Sequence, residues 1–220
     1  MPKSFAWSYT ALTSFETCPR RHYLTRVTKT IVEQPSEQMT WGNTVHKALE
    51  LRLKGEAGLP ASLGHLEPTV QNILSRDGVR LVEERLTINQ NFTAVKWRAP
   101  DAWCRGVIDV GLLGTESAFL GDWKTGNRKP DSDQLKLFAV MAFAAYPYLQ
   151  QVTTAFIWTK ENKLDADSFT RDQVPEIWAE FIPRVDRMVM AIAEDKWPAK
   201  PSGLCGKWCP VTKKHCEFGK

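Results

Sequence analysis

Long hydrophobic runs are missing from this 220-residue chain. Its longest uncharged apolar stretch, Leu137 to Tyr146, is too short to span a bilayer and reads as a buried helix. The first residues lack a charged segment followed by an apolar one, so the expectation is a cytoplasmic protein with no membrane association. Repeats, low-complexity segments and helicase motifs are absent from the sequence as well, which leaves one domain, or one domain with small appendages. Cysteine is scarce. Five cysteines in a cytosolic protein point to reduced thiols or metal ligation over disulfides. Net charge is only +4, but it is unevenly spread. Residues 196–220 carry six lysines and one acid, and residues 1–60 carry eight basic and five acidic residues. Basic ends around a more acidic middle suit a phosphate-tracking surface beside a metal site, although lysine-rich ends also serve solubility alone.

Against that background two short segments stand out. Gly106-Val107-Ile108-Asp109 is followed, 13 residues after Asp109, by Asp122-Trp123-Lys124-Thr125-Gly126. Trp103 to Leu113 reads as one strand, and the apolar run Ala118-Phe119-Leu120-Gly121 leads into a second across a turn at Gly114 to Ser117. Successive strand side chains point to opposite faces, so Asp122 and Lys124 share a face and Trp123 turns away. If the strands pair, Asp109 reaches the same end of the sheet. Two carboxylates there would bind a hard divalent cation, and Lys124 would orient or polarise a water. A lone Asp-x-Lys on an exposed strand is an ordinary solvated charge pair. Here the apolar flanks, the preceding Gly-x-x-Asp and the closing Thr-Gly favour the catalytic reading.

Elsewhere the pattern predicts helices over Tyr9 to about Arg26, interrupted at Cys18-Pro19, over Gly42 to Leu53, near Glu67 to Arg76, over 133–146, and over Pro175 to Asp195 with a kink at Pro183. The loop 129–133 carries good capping residues. Val79 to Asn89 and Phe92 to Trp97 read as a strand pair, with further strands over 151–159 and 163–170. The fold class is α/β, a mixed central sheet with helices packed around it. Val45, His46, Leu49 and Leu53 fall on one helix stripe, so His46 should face the sheet, where a lone histidine is more often a satisfied core residue than a ligand. Alternation places Glu84 with Val82, Leu86 and Ile88 on an apolar face; it either leans toward the metal or forms an edge-strand salt bridge. Cys104 reads as a small core residue.

Taken together, these segments resemble the PD-(D/E)xK nuclease superfamily, and within it the RecB-like branch. Gly106-x-x-Asp109 and Asp122-x-Lys124-Thr-Gly carry the resemblance, with Trp41-Gly42-Asn43-Thr44-Val45-His46 similar to the branch's Gly-x-x-x-His helix. Gln134-x-x-x-Phe138 stands where the family has Gln-x-x-x-Tyr, with the hydroxyl lost. Ser14 to Arg21 resembles the N-terminal cysteine segment, and Cys205-x3-Cys209-Pro210-x5-Cys216 the three-cysteine tail, of the iron–sulfur members such as AddB-type and CRISPR-adaptation nucleases. The tail is one residue longer in each gap than the family's usual spacing.

The resemblance implies a restriction-endonuclease-like core and a metal-dependent deoxyribonuclease leaving 5′-phosphate and 3′-hydroxyl ends. His46, Asp109, Asp122 and the Trp123 carbonyl would hold Mg²⁺ or Mn²⁺, Lys124 would orient the water, and Gln134 would position the lysine or the DNA backbone. Cys18, Cys205, Cys209 and Cys216 count correctly for a [4Fe–4S] cluster or a tetrahedral Zn²⁺, which spacing does not separate; His215 could replace one sulfur in a zinc site, and free thiols are the plain alternative. Such a site would join residues 1–30 to 196–220 around a catalytic core of about 40–170, in a single nuclease domain of residues 1–220. Arg20, Arg21, Lys207, Lys213 and Lys214 would then bind DNA, with Trp7, Trp41 and Trp208 available to stack on unpaired bases. The expected protein is an exonuclease preferring single strands or ends, in recombination, repair or phage DNA processing, with a recombination or replication protein as possible partner. The alternative is a non-catalytic or partner-dependent DNA-binding subunit with the same fold.

Overall fold

In the computed structural model, which describes residues 5–129 and 133–220, the apolar runs of the middle of the chain become five strands. These are β1 (Val79–Ile88), β2 (Cys104–Leu113), β3 (Ser117–Lys124), β4 (Gln151–Trp158) and β5 (Lys163–Thr170), in sheet order β1-β2-β3-β4-β5. Only β3 and β4 run parallel; the other neighbours are antiparallel. A parallel pair needs a crossover, supplied here by α5 (Asp133–Ala145). That helix buries Leu135, Leu137 and the whole run Phe138 to Phe143. On the opposite face, α3 (Glu37–Leu53) and α4 (Glu67–Leu74) pack Val45, Leu49, Leu53, Val70 and Ile73 against Val110, Leu112, Trp123 and Ile157. The helix α3 begins five residues before the expected Gly42, because Ser36 caps it by accepting from the Met39 N–H at 3.2 Å.

Phe92 to Trp97 is not a strand. Ala94 makes a lone bridge to Ile88, and β1 pairs along its length with β2 instead. Asn89 Oδ1 accepts from the Asn91 and Thr93 N–H groups and turns the chain back, so the local apolar alternation serves a loop. The capping residues expected over 129–133 lie in part outside the described residues.

The chain divides into two compact units, residues 35–177 and residues 1–34 with 178–220. The second unit is built from both ends of the chain. It contains α1 (Tyr9–Thr17), α2 (Pro19–His22), the π-helical turn Tyr23–Val27 and most of α6 (Val174–Ala193). Cys18 breaks α1 from α2 in extended conformation, and Pro19 opens the next helix at its first position, where its missing N–H costs nothing. Trp197 stacks on Tyr23 at 4.9 Å, Arg184 grips the Glu16 carboxylate at 2.7 and 2.8 Å, and Trp7 is buried against Phe181. Trp7 is therefore a core residue and no base-stacking surface. No helix among the described residues is long and apolar enough to cross a membrane.

Arg171, just after β5, secures the link between α5 and β4. Its guanidinium donates to the carbonyls of Leu149 (2.8 Å), Pro147 (2.8 Å), Phe143 and Tyr146 (each 3.3 Å), and lies over the Phe143 ring. These are last-turn and loop carbonyls with no helical partner. Arg171→Met should therefore lower the unfolding free energy by roughly 2–3 kcal/mol, as for loss of hydrogen bonds to a charged group. Urea unfolding of residues in this link, followed by amide exchange, checks the value and its location.

Candidate active site

The antiparallel ladder of β2 and β3 stops at Val110↔Gly121. Beyond it the strands part, and the Asp109 side chain takes over: its Oδ2 accepts the Trp123 N–H at 2.8 Å. A carboxylate thus replaces a backbone carbonyl, and a cleft opens at the sheet's end between the two motif strands. From the α3 side His46 reaches into it. Its Nε2 lies 2.8 Å from the Trp123 carbonyl, which can only accept, so Nε2 carries the proton. The other ring nitrogen, Nδ1, then faces Asp109 Oδ2 at 3.4 Å. Gly42, one turn earlier on α3, lets the helix come close: a Cβ there would stand 3.1 Å from Thr125 Oγ1.

On the α5 side Asp122 and Lys124 share a face, as alternation requires. Asp122 Oδ1 accepts from Gln134 Nε2 at 2.8 Å, and Lys124 Nζ donates to Gln134 Oε1 at 2.9 Å. The same ammonium is 2.8 Å from Asp122 Oδ2 in an ion pair whose angles fall short of a directional hydrogen bond, and it lies 4.6 Å above the Phe156 ring. Gln134 thus satisfies the acid and the lysine at once. Phe138 is buried and meets Gly106 at β2, a packing role.

A residue that sequence reasoning passed over completes the group. Glu83 lies opposite Asp109, and its ligand oxygen, one from Asp109 and a nitrogen of His46 all lie within 4.8 Å of one another. Glu83 has φ of 55°, a left-handed conformation uncommon outside glycine, and the Glu83–Asp109 position drops out of an otherwise continuous β1–β2 register. The pleat reverses there. Cys104 and Gly106 face Met141 of α5, whereas Val110 and Leu112, of the same parity, pack with α3. Simple alternation across β1 therefore fails, and Glu83 instead of Glu84 reaches the cleft. Glu84 points to the α5 side, where it helps burial push the Tyr146 phenol up to about 12.

Electrostatics follow from this crowding. Burial raises the Asp122 carboxyl to about 6, with Lys124 opposing and Asp109 adding to the rise. Burial raises Glu83 too, assisted by Asp109 and Glu50. For His46 burial works downward, but the hydrogen bond and charge of Asp109, then Asp122 and the Trp123 carbonyl, outweigh it and lift the imidazole above its ordinary value. Acceptors from α3, β1 and β2 converge here, and His46 and Glu83 hold protons more tightly than they would in water. That donor set, imidazole nitrogen with carboxylate oxygens, fits a divalent cation. A cavity of about 600 Å³ opens over His46, Glu83 and Thr125, with Asn43 and Lys47 on its wall.

The remaining sequence candidates lie in the unit formed by the chain ends. Cys18, Cys205, Cys209 and Cys216, all half-buried free thiols, line one small cavity. Two of them accept backbone N–H groups: Lys200 N to Cys18 Sγ at 3.4 Å, and Ser202 N to Cys205 Sγ at 3.3 Å. Arg21 is paired with Glu33 at 2.7 Å, and Arg20 donates to the Trp197 carbonyl at 2.9 Å. Lys207, Lys213 and Lys214 are exposed, as is Trp208 at 75%. Cys104 is buried against Met141, the core residue expected.

No curated protein matches the chain. Among solved structures, a candidate exonuclease from Eubacterium rectale superposes with a TM-score of 0.57 at 11% identity, over 92% of this chain and 86% of that one. The structure of SSO0001 aligns over 93% and 83% of the two chains, at 14% identity and a TM-score of 0.49. A profile described as the PD-(D/E)XK nuclease superfamily matches residues 6–216. That span takes in the cleft, the sheet around it and the cysteine tail, and on it the chain belongs to the PD-(D/E)XK nuclease superfamily.

Proposed function

We propose that this protein is a divalent-metal-dependent deoxyribonuclease of the RecB-like branch, an exonuclease acting on single strands or ends in recombination, repair or phage DNA processing. One observation carries the reading: His46, Glu83 and Asp109 bring metal-binding atoms within 4.8 Å of one another, beside the linked Asp122–Lys124–Gln134 group. His46, Asp109, Asp122 and the Trp123 carbonyl would hold Mg²⁺ or Mn²⁺, with Glu83 as a further carboxylate; the imidazole favours Mn²⁺ more than an all-oxygen site would. When bound, the metal supplies Lewis-acid stabilisation of charge on the scissile phosphate and the leaving oxygen. Lys124 orients the attacking water through an ammonium held in place by Asp122, Gln134 and the Phe156 ring. Asp122→Asn and Lys124→Met should each reduce cleavage of end-labelled single-stranded DNA in Mn²⁺ by roughly 10²-fold or more, the scale for loss of one charged catalytic contact. Binding of the same strand in Ca²⁺ should persist, because phosphate contacts are spread over many residues. Cleavage within threefold of the unmodified protein would remove the catalytic roles, and binding without any cleavage by the unmodified protein would favour a partner-dependent subunit.

Protonation gives a second test. Asp122 and His46 both hold protons more tightly than usual, so at about pH 6 a metal must displace them. Mn²⁺ affinity should therefore fall as pH drops through 6, with more protons released per ion at pH 6 than at pH 8. Calorimetry in buffers of different ionisation enthalpy reads both. For stability the sign is opposite: a carboxyl raised above its unfolded value stabilises fully below the unfolded pKa, and that contribution is lost as pH rises toward the folded one. Metal-free protein should lose this Asp122 contribution between about pH 4 and 6, and Asp122→Asn should flatten that part of the melting profile.

For the cysteines we infer a [4Fe–4S] cluster held by Cys18, Cys205, Cys209 and Cys216. Its support is the shared cavity and the two N–H···S contacts. Anaerobically purified protein should be brown, with about four irons per chain. One equivalent of zinc in colourless protein would assign the tetrahedral ion instead. Arg20, Arg21, Lys207, Lys213 and Lys214, with Trp208, remain the proposed strand-binding surface of that unit.

A further inference from the structure

We infer that Arg85 and Arg105, clamped on Trp97, form a binding site for a non-scissile phosphate of the DNA strand. The inference rests on the nuclease reading above. Arg85 Cζ lies 5.4 Å and Arg105 Cζ 5.6 Å from the centre of one indole ring. Neither guanidinium has a carboxylate partner among the described residues, and Arg105 Nε is buried without a hydrogen-bond acceptor. Two cations held side by side repel each other. The face of the ring offsets part of that repulsion, but it supplies no anion. A phosphodiester would supply both the charge and the acceptor oxygens, and the guanidinium fork suits it.

Placement ties this pair to the cleft. Cys104 and Gly106 turn toward Met141 of α5, so Arg105 and Val107 occupy the other face of β2. Arg85 is the register partner of Val107 and shares that face, which is the side on which α3 brings His46 to the cleft. Along the strands, Arg85 stands two residues from Glu83 and Arg105 four from Asp109, about 7 and 13 Å by strand rise. A phosphate held there is a near neighbour of the one at the carboxylates. Lys96 and Arg98 flank Trp97 in sequence and are exposed on the same loop. The irregular course of Phe92 to Trp97 has a use: it brings the indole over two arginines that a regular third strand would have left uncovered.

The test is the salt dependence of binding. Affinity for a fluorescein-labelled oligothymidylate is measured in Ca²⁺ at several salt concentrations for the unmodified protein, Arg85→Gln, and Arg85→Gln with Arg105→Gln. Each single-strand phosphate contact contributes about 0.7 to the slope of log K against log salt, so the slope should be shallower by about 0.7 and about 1.4. Affinity at low salt should fall about tenfold or more for the double variant. Arg85 is exposed, so its single variant retains the fold and decides the matter even if the double variant melts early. An unchanged slope and affinity in Arg85→Gln overturns the site and leaves the arginines as braces for Trp97. Unmodified protein that binds the strand but never cuts it in Mn²⁺ refutes the catalytic reading alone; unmodified protein with no affinity for the strand refutes both.

Discussion

Two carboxylates enter the protein interior at the parting of β2 and β3, and the arrangement around the cleft is what makes their burial tolerable. Each oxygen has to find a donor or a charge, since a buried carboxylate without one would cost several kcal/mol. Asp109 is accommodated by the Trp123 N–H that the broken ladder leaves free. Asp122 is accommodated by a lysine two residues on and by a glutamine from the crossover helix. The crossover is itself the consequence of the parallel β3–β4 pair, so sheet topology and site chemistry are one constraint. Even so, the compensation is partial. Burial still raises the proton affinities of Asp122 and Glu83, which marks what the chain alone leaves unmet.

Much of this was legible in the amino-acid sequence, and the parts that were not share a cause. Period-two alternation gave the shared face of Asp122 and Lys124 and the inward turn of Trp123, because β3 is regular over its whole length. The stripe of Val45, His46, Leu49 and Leu53 set His46 toward the sheet, since residues three and four apart share a helix face. Alternation failed on β1, where one left-handed residue reverses the pleat and exchanges Glu84 for Glu83. A φ above zero on glutamate leaves no trace in composition. It would have taken the register with β2, which sets Glu83 against Asp109, to find it. Phe92 to Trp97 failed for another reason: beyond the bridge at Ala94 and the Val95 N–H bond to the Thr87 carbonyl its backbone leaves β1, and Trp97 meets the Arg85 and Arg105 side chains instead.

The tryptophans show where composition stops being informative. Trp7, Trp103, Trp123, Trp158, Trp178 and Trp197 are buried, while Trp208 is open to solvent and Trp41 half-open. Nothing in the residue type separates these groups. What separates them is whether the segment carrying the ring has a sheet or helix face to lie against, and the tail after Trp197 has turns only. Trp97 is a third kind, half-covered by cations and so neither core nor free surface.

The unit made from both chain ends has a consequence for the order of synthesis. Residues 1–34 leave the ribosome before the rest of their unit, since Phe181 and Trp197, which pack on Trp7 and Phe15, belong to the segment that begins at residue 178. At bacterial to eukaryotic elongation rates of about 5–20 residues per second, the interval is roughly 7–30 s. Residues 35–177 are contiguous and carry the whole sheet, so their synthesis is finished before the second half of the terminal unit is begun, while the leading segment waits with its apolar side chains uncovered. Every residue of the cleft is made before Cys205, Cys209 and Cys216. Cys18 spends that time without the three tail cysteines, a period in which a nascent chain is most open to oxidation and to holding by a chaperone.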